Sequence, residues 1–220
     1  MSGKAVAIIG SGVVGETLAN GFLKYGFKVC RASRDPSKLS EWLSSAEPKG
    51  QVTIGTFKEA CKCSDIVVLA TAGPVWESVL EQCGLDNLKG KVIIDATNPI
   101  SGGAEDGVLE FFAGVKDSLM EKLQEKVPEG KFVKAWNCVG FMHFVDPDFG
   151  NDKPTMFICG NDASAKEEVS TILEMFGWEV ADMGTVKAAR AIEPLCQLWC
   201  IPAYLGKETN YAFKLLKQKK

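Results

Sequence analysis

The sequence predicts an α/β fold: a doubly wound parallel sheet extended by further strands, followed by a small C-terminal helical segment. Short apolar runs alternate with segments of helical spacing as far as residue 182, and this alternation is typical of parallel strands joined by crossover helices. A glycine-rich turn ends the first apolar run, whereas the residues after 186 lack strand alternation. We therefore expect a sheet domain over residues 1–182 and a helical segment over residues 183–220.

The first half of the chain contains the clearest elements. Residues 5–9 form a continuous apolar run, as expected for a strand buried on both faces of a sheet. Apolar residues then recur at near-helical spacing over 14–25, and Gly26 supplies a helix stop. By the same criteria we expect strands at 27–32, 52–55, 65–70 and 91–95, and helices at 36–44, 57–61 and 74–83.

The second half of the chain extends the sheet. Ser118 and Glu121 have the spacing of a capping box, which predicts a helix over 118–125, and we expect the segment 102–127 to be largely helical. After residue 186, Ala, Leu and aromatic residues without strand alternation predict two helices broken at Pro202. Further strands are expected at 132–136, 155–159 and 179–182, with a helix at 164–176.

Composition and charge exclude several classes of protein. With 25 basic and 28 acidic side chains, a net charge of -3 and a pI near 5.4, the chain lacks the positive field that nucleic-acid binding needs. The apolar strand directly after Lys4 leaves no room for a signal peptide, and no apolar run approaches the roughly 18 residues of a membrane span. We therefore expect a soluble, cytoplasmic protein without nucleic-acid or membrane partners.

The eight cysteines do not indicate disulfides or a metal site. They are scattered, none forms a C-x-x-C pair, and the single histidine, His143, lies far in sequence from any two of them. A structural metal would need clustered ligands. We expect reduced, mainly buried thiols and no metal.

The strongest functional signal is a G-x-G-x-x-G motif between the first strand and the first helix. Here Gly10 permits a tight turn, Gly12 lets a pyrophosphate approach the backbone, and Gly15 lets the helix pack closely on the sheet. The N–H groups at the start of the helix then face the anion. The motif therefore predicts a Rossmann fold that binds a dinucleotide through Gly10, Ser11, Gly12, Val13, Val14 and Gly15.

The end of the second predicted strand indicates which dinucleotide binds. An NAD enzyme usually places an acid there for the ribose hydroxyls, whereas this strand ends in Ser33 and Arg34, with Lys38 one helical turn later. A hydroxyl and two cations suit the 2′-phosphate of NADP. Asp35 is the alternative ribose ligand, but its place before Pro36 is equally suited to capping a helix. We therefore expect NADP(H) rather than NAD(H).

The carboxyl ends of the strands predicted at 65–70 and 91–95 are also expected at the cofactor, because ligands of open α/β sheets bind beyond the carboxyl ends of the strands. The Asn98 amide is suited to orient the nicotinamide, although Asn-Pro is also a common turn sequence. The contacts expected from these strand ends are Thr71, Ala72, Gly73, Pro74, Asn98 and Pro99.

Two residues are candidates for contact with the second substrate. Asn137 follows a predicted strand and is suited to hydrogen-bond an acceptor ring, although a loop amide also caps local backbone. His143 has a side chain whose ordinary pKa allows proton donation, although a packing histidine is the more common case. Arg190 and Glu193, three residues apart on a predicted helix, are expected to form a structural ion pair at the domain or subunit junction, with an active-site contact as the alternative.

Six motifs along the chain match those of one known family. They are Gly10 to Gly15, Ser33-Arg34 with Lys38, residues 96–100, residues 134–137 with Gly140, residues 157–162, and residues 188–190 with 193–195. Taken together, these motifs resemble those of the NADPH-dependent reductases of the deazaflavin coenzyme F420, the F420:NADP oxidoreductases. The resemblance implies a Rossmann domain extended by further strands, a small C-terminal helical part, and hydride transfer between NADP(H) and the deazaflavin in a cleft between the two. It also implies a homodimer.

Three functions are compatible with the sequence. The leading hypothesis is hydride transfer between NADP(H) and a deazaflavin or flavin-like acceptor, which needs alignment of two rings rather than a protein acid or base. One alternative is NADPH-dependent reduction of a small imine, carbonyl or hydroxy acid, for which no substrate-side Lys, His or Asp is evident. The other is a non-catalytic NADPH-sensing module whose partner binds the C-terminal helical segment.

Overall fold

The computed structural model describes residues 3–218, and its centre is an eight-stranded sheet with helices on both faces. The strands are β1 (Ala5–Ile9), β2 (Lys28–Ala32), β3 (Val52–Gly55), β4 (Ile66–Leu69), β5 (Val92–Asp95), β6 (Ile100–Glu105), β7 (Val108–Phe111), β8 (Lys131–Lys134), β9 (Thr155–Gly160) and β10 (Glu179–Asp182). The helices are α1 (Val13–Lys24), α2 (Ser40–Ser45), α3 (Phe57–Cys63), α4 (Trp76–Cys83), α5 (Leu119–Lys126), α6 (Ala163–Met175), α7 (Ala189–Ile192) and α8 (Pro194–Tyr204).

The strand order of the central sheet is β10-β9-β8-β5-β4-β1-β2-β3. Because β1 pairs in parallel with both β2 and β4, the chain builds the sheet to one side after β1 and to the other side after β3. The carboxyl ends of β1 and β4 therefore flank the point at which the strand order reverses, where open α/β sheets bind ligands. This topology confirms the predicted doubly wound α/β fold.

The strands of the sheet centre are apolar throughout because both of their faces are covered. One apolar cluster joins the sheet to α1 and α6, and a second joins it to α3, α4 and α5. Trp136, just after β8, is fully buried in the first cluster, where its ring lies 6.2 Å from that of Phe22 and 5.7 Å from that of Phe176. The apolar runs of the sequence are thus the two-sided interior of the sheet.

The sheet departs from the fully parallel arrangement that the sequence predicts. β9 pairs antiparallel with β8, and β10 then pairs in parallel with β9. A parallel crossover usually contains a helix, whereas the connection between β8 and β9 contains only a 3-10 turn at Phe141–His143. The last two strands therefore extend the sheet in the opposite direction.

The expectation of a largely helical segment 102–127 is wrong for its first part. β6 and β7 form a separate antiparallel hairpin with Glu105 opposite Val108. Asp106 (φ 48°) and Gly107 (φ 84°) occupy the turn, and Asp-Gly is a preferred sequence for a two-residue turn with positive φ at both positions. The helix expected near 118–125 is present as α5, with Ser118 as its cap.

The C-terminal segment contains two helices, α7 and α8, but they are separated at Glu193 rather than at Pro202 as the sequence predicts. Pro202 lies inside α8, which ends two residues later. Residues 207–218 have no helix; Thr155 N–H donates to the Phe213 carbonyl (2.8 Å) and Leu215 N–H donates to Thr155 Oγ1 (3.1 Å). The chain end is therefore held against the start of β9 by hydrogen bonds.

Within residues 3–218, none of the helices is both long enough and apolar enough to cross a lipid bilayer.

Candidate functional site

A cleft lies beyond the carboxyl ends of β1, β2, β4 and β5, at the point where the strand order reverses. It consists of two cavities of about 610 Å³ and 540 Å³ that share Gly12 and residues 70–72 as walls. The larger is lined by Ser33, Arg34 and Lys38, and we call it the basic cavity. The smaller reaches Asn98 and residues 100–102, and we call it the uncharged cavity.

The three motif glycines differ in what surrounds them. A Cβ on Gly10 (φ 148°) would lie 2.2 Å from the Ala70 carbonyl oxygen, and one on Gly15 would lie 2.5 Å from the Gly10 carbonyl oxygen. A Cβ on Gly12 would meet nothing within 4 Å. Gly10 and Gly15 are therefore needed for packing of the loop, whereas Gly12 leaves open space in the cleft.

The glycine loop leads directly into the start of α1. Gly12 is the N-cap residue of this helix and offers no side chain to cap it. The first N–H groups of a helix have no partner within the helix, and they carry the positive end of its dipole. This end of α1 adjoins both cavities through Gly12 and is suited to bind an anion.

The residues at the end of β2 line the basic cavity. Arg34 and Lys38 are exposed, and in the part of the chain that the structure describes neither forms an ion pair. Ser33 is buried, and its Oγ accepts a hydrogen bond from the Asp35 N–H (3.2 Å). Asp35 also lines the cavity but caps a 3-10 turn, where hydrogen bonds from Ser37 hold its pKa below the ordinary value. The helix-capping role that the sequence allowed for Asp35 is thus present.

The uncharged cavity brings together the loops after β4 and β5. Its lining includes Thr71, Ala72, Gly73 and Pro74 from the loop after β4, Asn98 from the loop after β5, and Val13 and Val14 at the start of α1. A Cβ on Gly73 would lie 2.0 Å from the Asn98 carbonyl oxygen, so these two loops touch. Pro99 is buried and is not part of the lining.

Asn137 lies behind Asn98 rather than in the cleft. It is 2% exposed and lines neither cavity. Its Nδ2 donates to the Ile192 carbonyl (2.9 Å), while Asn98 Nδ2 donates to the Asn137 carbonyl (3.0 Å). Asn137 therefore connects α7 to the loop that carries Asn98.

His143 also lies outside the lining of both cavities. Its Nε2 is 3.2 Å from the Thr209 carbonyl oxygen, and its ring packs 5.0 Å from that of Phe149. These contacts are those of a packing histidine, so the geometry gives no support to a proton-donor role in this cleft.

A buried ion triad, which local sequence patterns did not reveal, supports the Asn98 loop from below. Lys134 Nζ lies 2.7 Å from Asp95 Oδ2 and 2.8 Å from Glu193 Oε1, and it donates to the Thr97 carbonyl (2.9 Å). Complete burial alone would lower the pKa of Lys134, but the two carboxylates outweigh this effect and raise it. The loop after β5 is therefore fixed by a charge network that reaches the C-terminal helices.

The predicted pairing of Arg190 with Glu193 is wrong. Arg190 instead makes a bidentate contact with Glu121 on α5 (2.7 and 2.9 Å). Glu193 accepts hydrogen bonds from the N–H groups of Leu119 and Met120 at the start of α5 (2.9 and 3.0 Å), besides its contact with Lys134. Tertiary partners outcompete the local i, i+3 pair because burial strengthens the bonds that Glu193 makes.

Arg31, inside β2, is another buried charged residue whose contacts local sequence patterns did not reveal. Its side chain is 1% exposed and lies beneath the glycine loop. Nη2 donates to the Ser11 and Gly12 carbonyls (2.9 and 3.1 Å), and Nη1 lies 3.0 Å from Glu16 Oε2. Its signal in the sequence was a charged residue near the end of the strand, between Cys30 and Ala32.

The cleft and the rest of residues 3–218 offer no group of three or more His, Cys, Asp or Glu side chains that could hold a metal ion. The described cysteines are all free thiols.

Comparison with known proteins supports an oxidoreductase family. Residues 5–99 match the family model described as NADP oxidoreductase, coenzyme F420-dependent. The chain is 28% identical to an F420-dependent NADP reductase of Methanocaldococcus jannaschii over 159 residues, which cover 71% of this chain and 68% of that protein. It is also 31% identical to the metalloreductase STEAP3 of Rattus norvegicus over 207 residues, 91% of this chain, but it spans only 39% of that longer protein.

Solved structures give the same result. A crystal structure from Arthrobacter sp. FB24, assigned as an F420-dependent NADP reductase, superposes with a TM-score of 0.87 at 32% identity, covering 96% of this chain and 99% of that one. An imine reductase of Streptomyces aurantiacus superposes with a TM-score of 0.68 over 92% of this chain and 64% of that one. At 18% identity the imine reductase shows a shared fold alone.

Proposed function

The chain belongs to the family of coenzyme F420-dependent NADP oxidoreductases, and on that premise we propose that it transfers a hydride between NADP(H) and a deazaflavin such as coenzyme F420. That it is an NADP-dependent oxidoreductase follows from the family. The composition of the uncharged cavity is the observation that supports a deazaflavin as the acceptor.

Among the described residues, none that lines the uncharged cavity carries an acidic or basic side chain suited to give or take a proton. Its lining, as far as the structure describes it, consists of Gly, Ala, Val, Ile, Pro, Thr, Ser and Asn residues. Reduction of an imine or a carbonyl places charge on one atom of the substrate and is normally assisted by a positioned acid. A deazaflavin ring delocalises the electron pair that it accepts, so alignment of two rings is sufficient. A deazaflavin therefore fits this lining better than a small imine, carbonyl or hydroxy acid does.

We propose the following roles for the residues of the cleft. Arg34, Lys38 and Ser33 bind the 2′-phosphate of NADP(H) in the basic cavity, and the N–H groups after Gly12 bind the pyrophosphate. NADPH supplies the hydride when bound. The small residues at 71–74 leave room for the nicotinamide, and Asn98, held by Asn137, orients it from the adjacent loop.

The acceptor assignment is tested by steady-state oxidation of NADPH with a panel of acceptors. The panel contains coenzyme F420, FMN, FAD, a cyclic imine, a small ketone and a ferric chelate. We expect turnover with coenzyme F420 to exceed that with every other acceptor. Faster reduction of the imine or the ketone would overturn the assignment, and NADPH binding without turnover of any acceptor would favour the sensing module.

Replacing Arg34 by Ala should abolish most of the preference for NADPH over NADH. Loss of a charge-assisted hydrogen bond to the 2′-phosphate costs about 1.5–3 kcal/mol, which is roughly 10- to 150-fold in affinity. Calorimetric titration of parent and variant with both cofactors measures the change in this preference. Lys62→Ala is the matched control, because Lys62 is exposed and lines neither cavity. Equal affinity of the parent for both cofactors would contradict the assignment.

We further propose that the protein acts as a homodimer, as the resemblance to the family implies. Helix α8 carries exposed apolar side chains at Leu198 and Tyr204, and Val108 on the β6–β7 hairpin is also exposed. Gln197 Nε2 donates to the Leu109 carbonyl (2.7 Å), so the helix and the hairpin form one continuous surface. Exposed apolar surface of this kind is typical of interfaces, and sedimentation of the intact chain measures whether two copies associate.

A further inference from the structure

The buried guanidinium of Arg31, which contacts the glycine loop, has no role in the function proposed above. We propose that Arg31 is a positioning residue, which orients the glycine loop so that its N–H groups face the pyrophosphate of NADP(H). This inference rests on the proposed function and adds a residue to the cofactor site that does not line the cleft. Arg31 is the next-to-last residue of β2, and its buried side chain lines neither cavity.

The orientation follows from the planarity of the peptide bond. In a trans peptide the C=O of one residue and the N–H of the next point in opposite directions. Arg31 Nη2 binds the carbonyl oxygens of Ser11 and Gly12 from beneath (2.9 and 3.1 Å). The N–H groups of Gly12 and Val13 therefore point away from Arg31, toward the open side of the loop. Two donors are thus aimed at the place where α1 also presents the positive end of its dipole.

Stability alone does not explain the burial of Arg31. Within residues 3–218 its Nε has no hydrogen-bond partner, although the side chain is 1% exposed. A buried cation that lacks part of its hydrogen bonding is more costly than an apolar residue of similar shape. The Trp42 ring, 5.0 Å from the guanidinium carbon, makes a cation–π contact that offsets only part of this cost, and the same ring would also pack against an apolar side chain. A cation at this position therefore indicates a function in the loop above it.

The contact with Glu16 offers a competing explanation. Glu16 lies in the first turn of α1, where its carboxylate would repel a bound pyrophosphate if it were unpaired. In this explanation Arg31 serves only to neutralise Glu16, which is 50% exposed and 3.0 Å away. Removal of the Glu16 charge distinguishes the two explanations. If Arg31 only neutralises Glu16, NADPH binding no longer requires Arg31 once that charge is gone. If Arg31 orients the glycine loop, NADPH binding still requires it.

The experiment compares two ligands on Arg31→Met, which keeps an unbranched side chain against Trp42. NADPH requires both the glycine loop and the basic cavity, whereas adenosine 2′-monophosphate has no pyrophosphate and requires only the basic cavity. We expect calorimetric affinity for NADPH to fall on the order of 10- to 100-fold and affinity for adenosine 2′-monophosphate to change less than about twofold. Arg34→Ala should weaken the binding of both ligands.

Three further variants decide between the explanations. Glu16→Gln should leave NADPH affinity within about threefold of the parent, and Arg31→Met/Glu16→Gln should remain as weak as Arg31→Met. Arg31→Lys can bind only part of this set of acceptors, so its NADPH affinity should lie between those of the parent and of Arg31→Met. Arg31→Lys replaces Arg31→Met in the experiment if circular dichroism shows Arg31→Met to be unfolded. Recovery of NADPH affinity in the double variant, or unchanged affinity in Arg31→Met, would overturn the inference. Failure of the parent to bind NADPH would instead overturn the proposed function.

Discussion

Replacing Gly12 by Val should reduce NADPH affinity by at least about 100-fold, equivalent to about 2.8 kcal/mol, while the protein remains folded. Gly12 has φ -77° and ψ 178°, which any residue adopts, and a Cβ added to it would meet no protein atom within 4 Å. The added side chain would instead occupy the cleft at the wall that the two cavities share. The loss should therefore appear in binding rather than in stability.

Calorimetry with NADPH and thermal unfolding by circular dichroism measure the two effects of Gly12→Val separately. Gly114→Val is the matched control, because Gly114 is exposed, has nothing within 4 Å of a Cβ, and lies outside the cleft. It should bind NADPH as the parent does. Gly15→Val should instead unfold the protein, because its Cβ would lie 2.5 Å from the Gly10 carbonyl oxygen. NADPH affinity retained by a folded Gly12→Val protein would show that the pyrophosphate lies elsewhere.

Replacing Lys134 by Met should lower the free energy of unfolding by about 3–5 kcal/mol, because removal of one partner of a buried ion pair leaves its counter-charges uncompensated. Lys134 and Asp95 are fully buried and Glu193 is 2% exposed, so water cannot take over the role of the ammonium group. For a chain of this length the change corresponds to a fall in Tm of roughly 6–20 °C. Urea unfolding at neutral pH measures the change in the free energy of unfolding, and thermal unfolding measures the fall in Tm.

Lys131→Met is the matched control for Lys134→Met on the same strand. Lys131 is 36% exposed and pairs with Asp162 at 3.2 Å, so its loss should change stability by less than about 1 kcal/mol. Asp95→Asn/Lys134→Met should recover part of the stability, because Glu193 keeps two N–H donors at the start of α5. A loss below about 1 kcal/mol in Lys134→Met would mean that the triad is not a stabilising unit of the native state.

The first part of the fold could be predicted from local patterns. β1, the glycine loop and α1 follow one another without a gap, and each has its own signal: an apolar run, three spaced glycines and helical periodicity. The Asp106-Gly107 turn also had a local signal, but the flanking Gly102-Gly103 pair weakened the strand alternation around it. The hairpin could therefore be predicted from the Asp-Gly turn, in contrast to the helical segment that was expected for these residues.

The buried charges could not be predicted in the same way. Lys134 is 39 residues from Asp95, and Arg31 is 19 to 20 residues from the carbonyls that it binds. No spacing rule links residues that meet only after the strands have paired. The single local prediction for a charged pair, Arg190 with Glu193, failed for the same reason, because both residues found partners on α5 or in the sheet.

Local patterns predict β1 to β5 and the helices between them, the end of the sheet at which the cleft lies, and the basic character of the residues after β2. Each of these depends on residues that are neighbours in the chain, so periodicity and turn chemistry are enough to specify them. The folded chain alone reveals the antiparallel direction of β9, the partners of Lys134 and Arg31, and the burial of Asn137 behind Asn98. Those features depend on distances between segments far apart in the chain, and burial makes the resulting hydrogen bonds strong enough to override local preference.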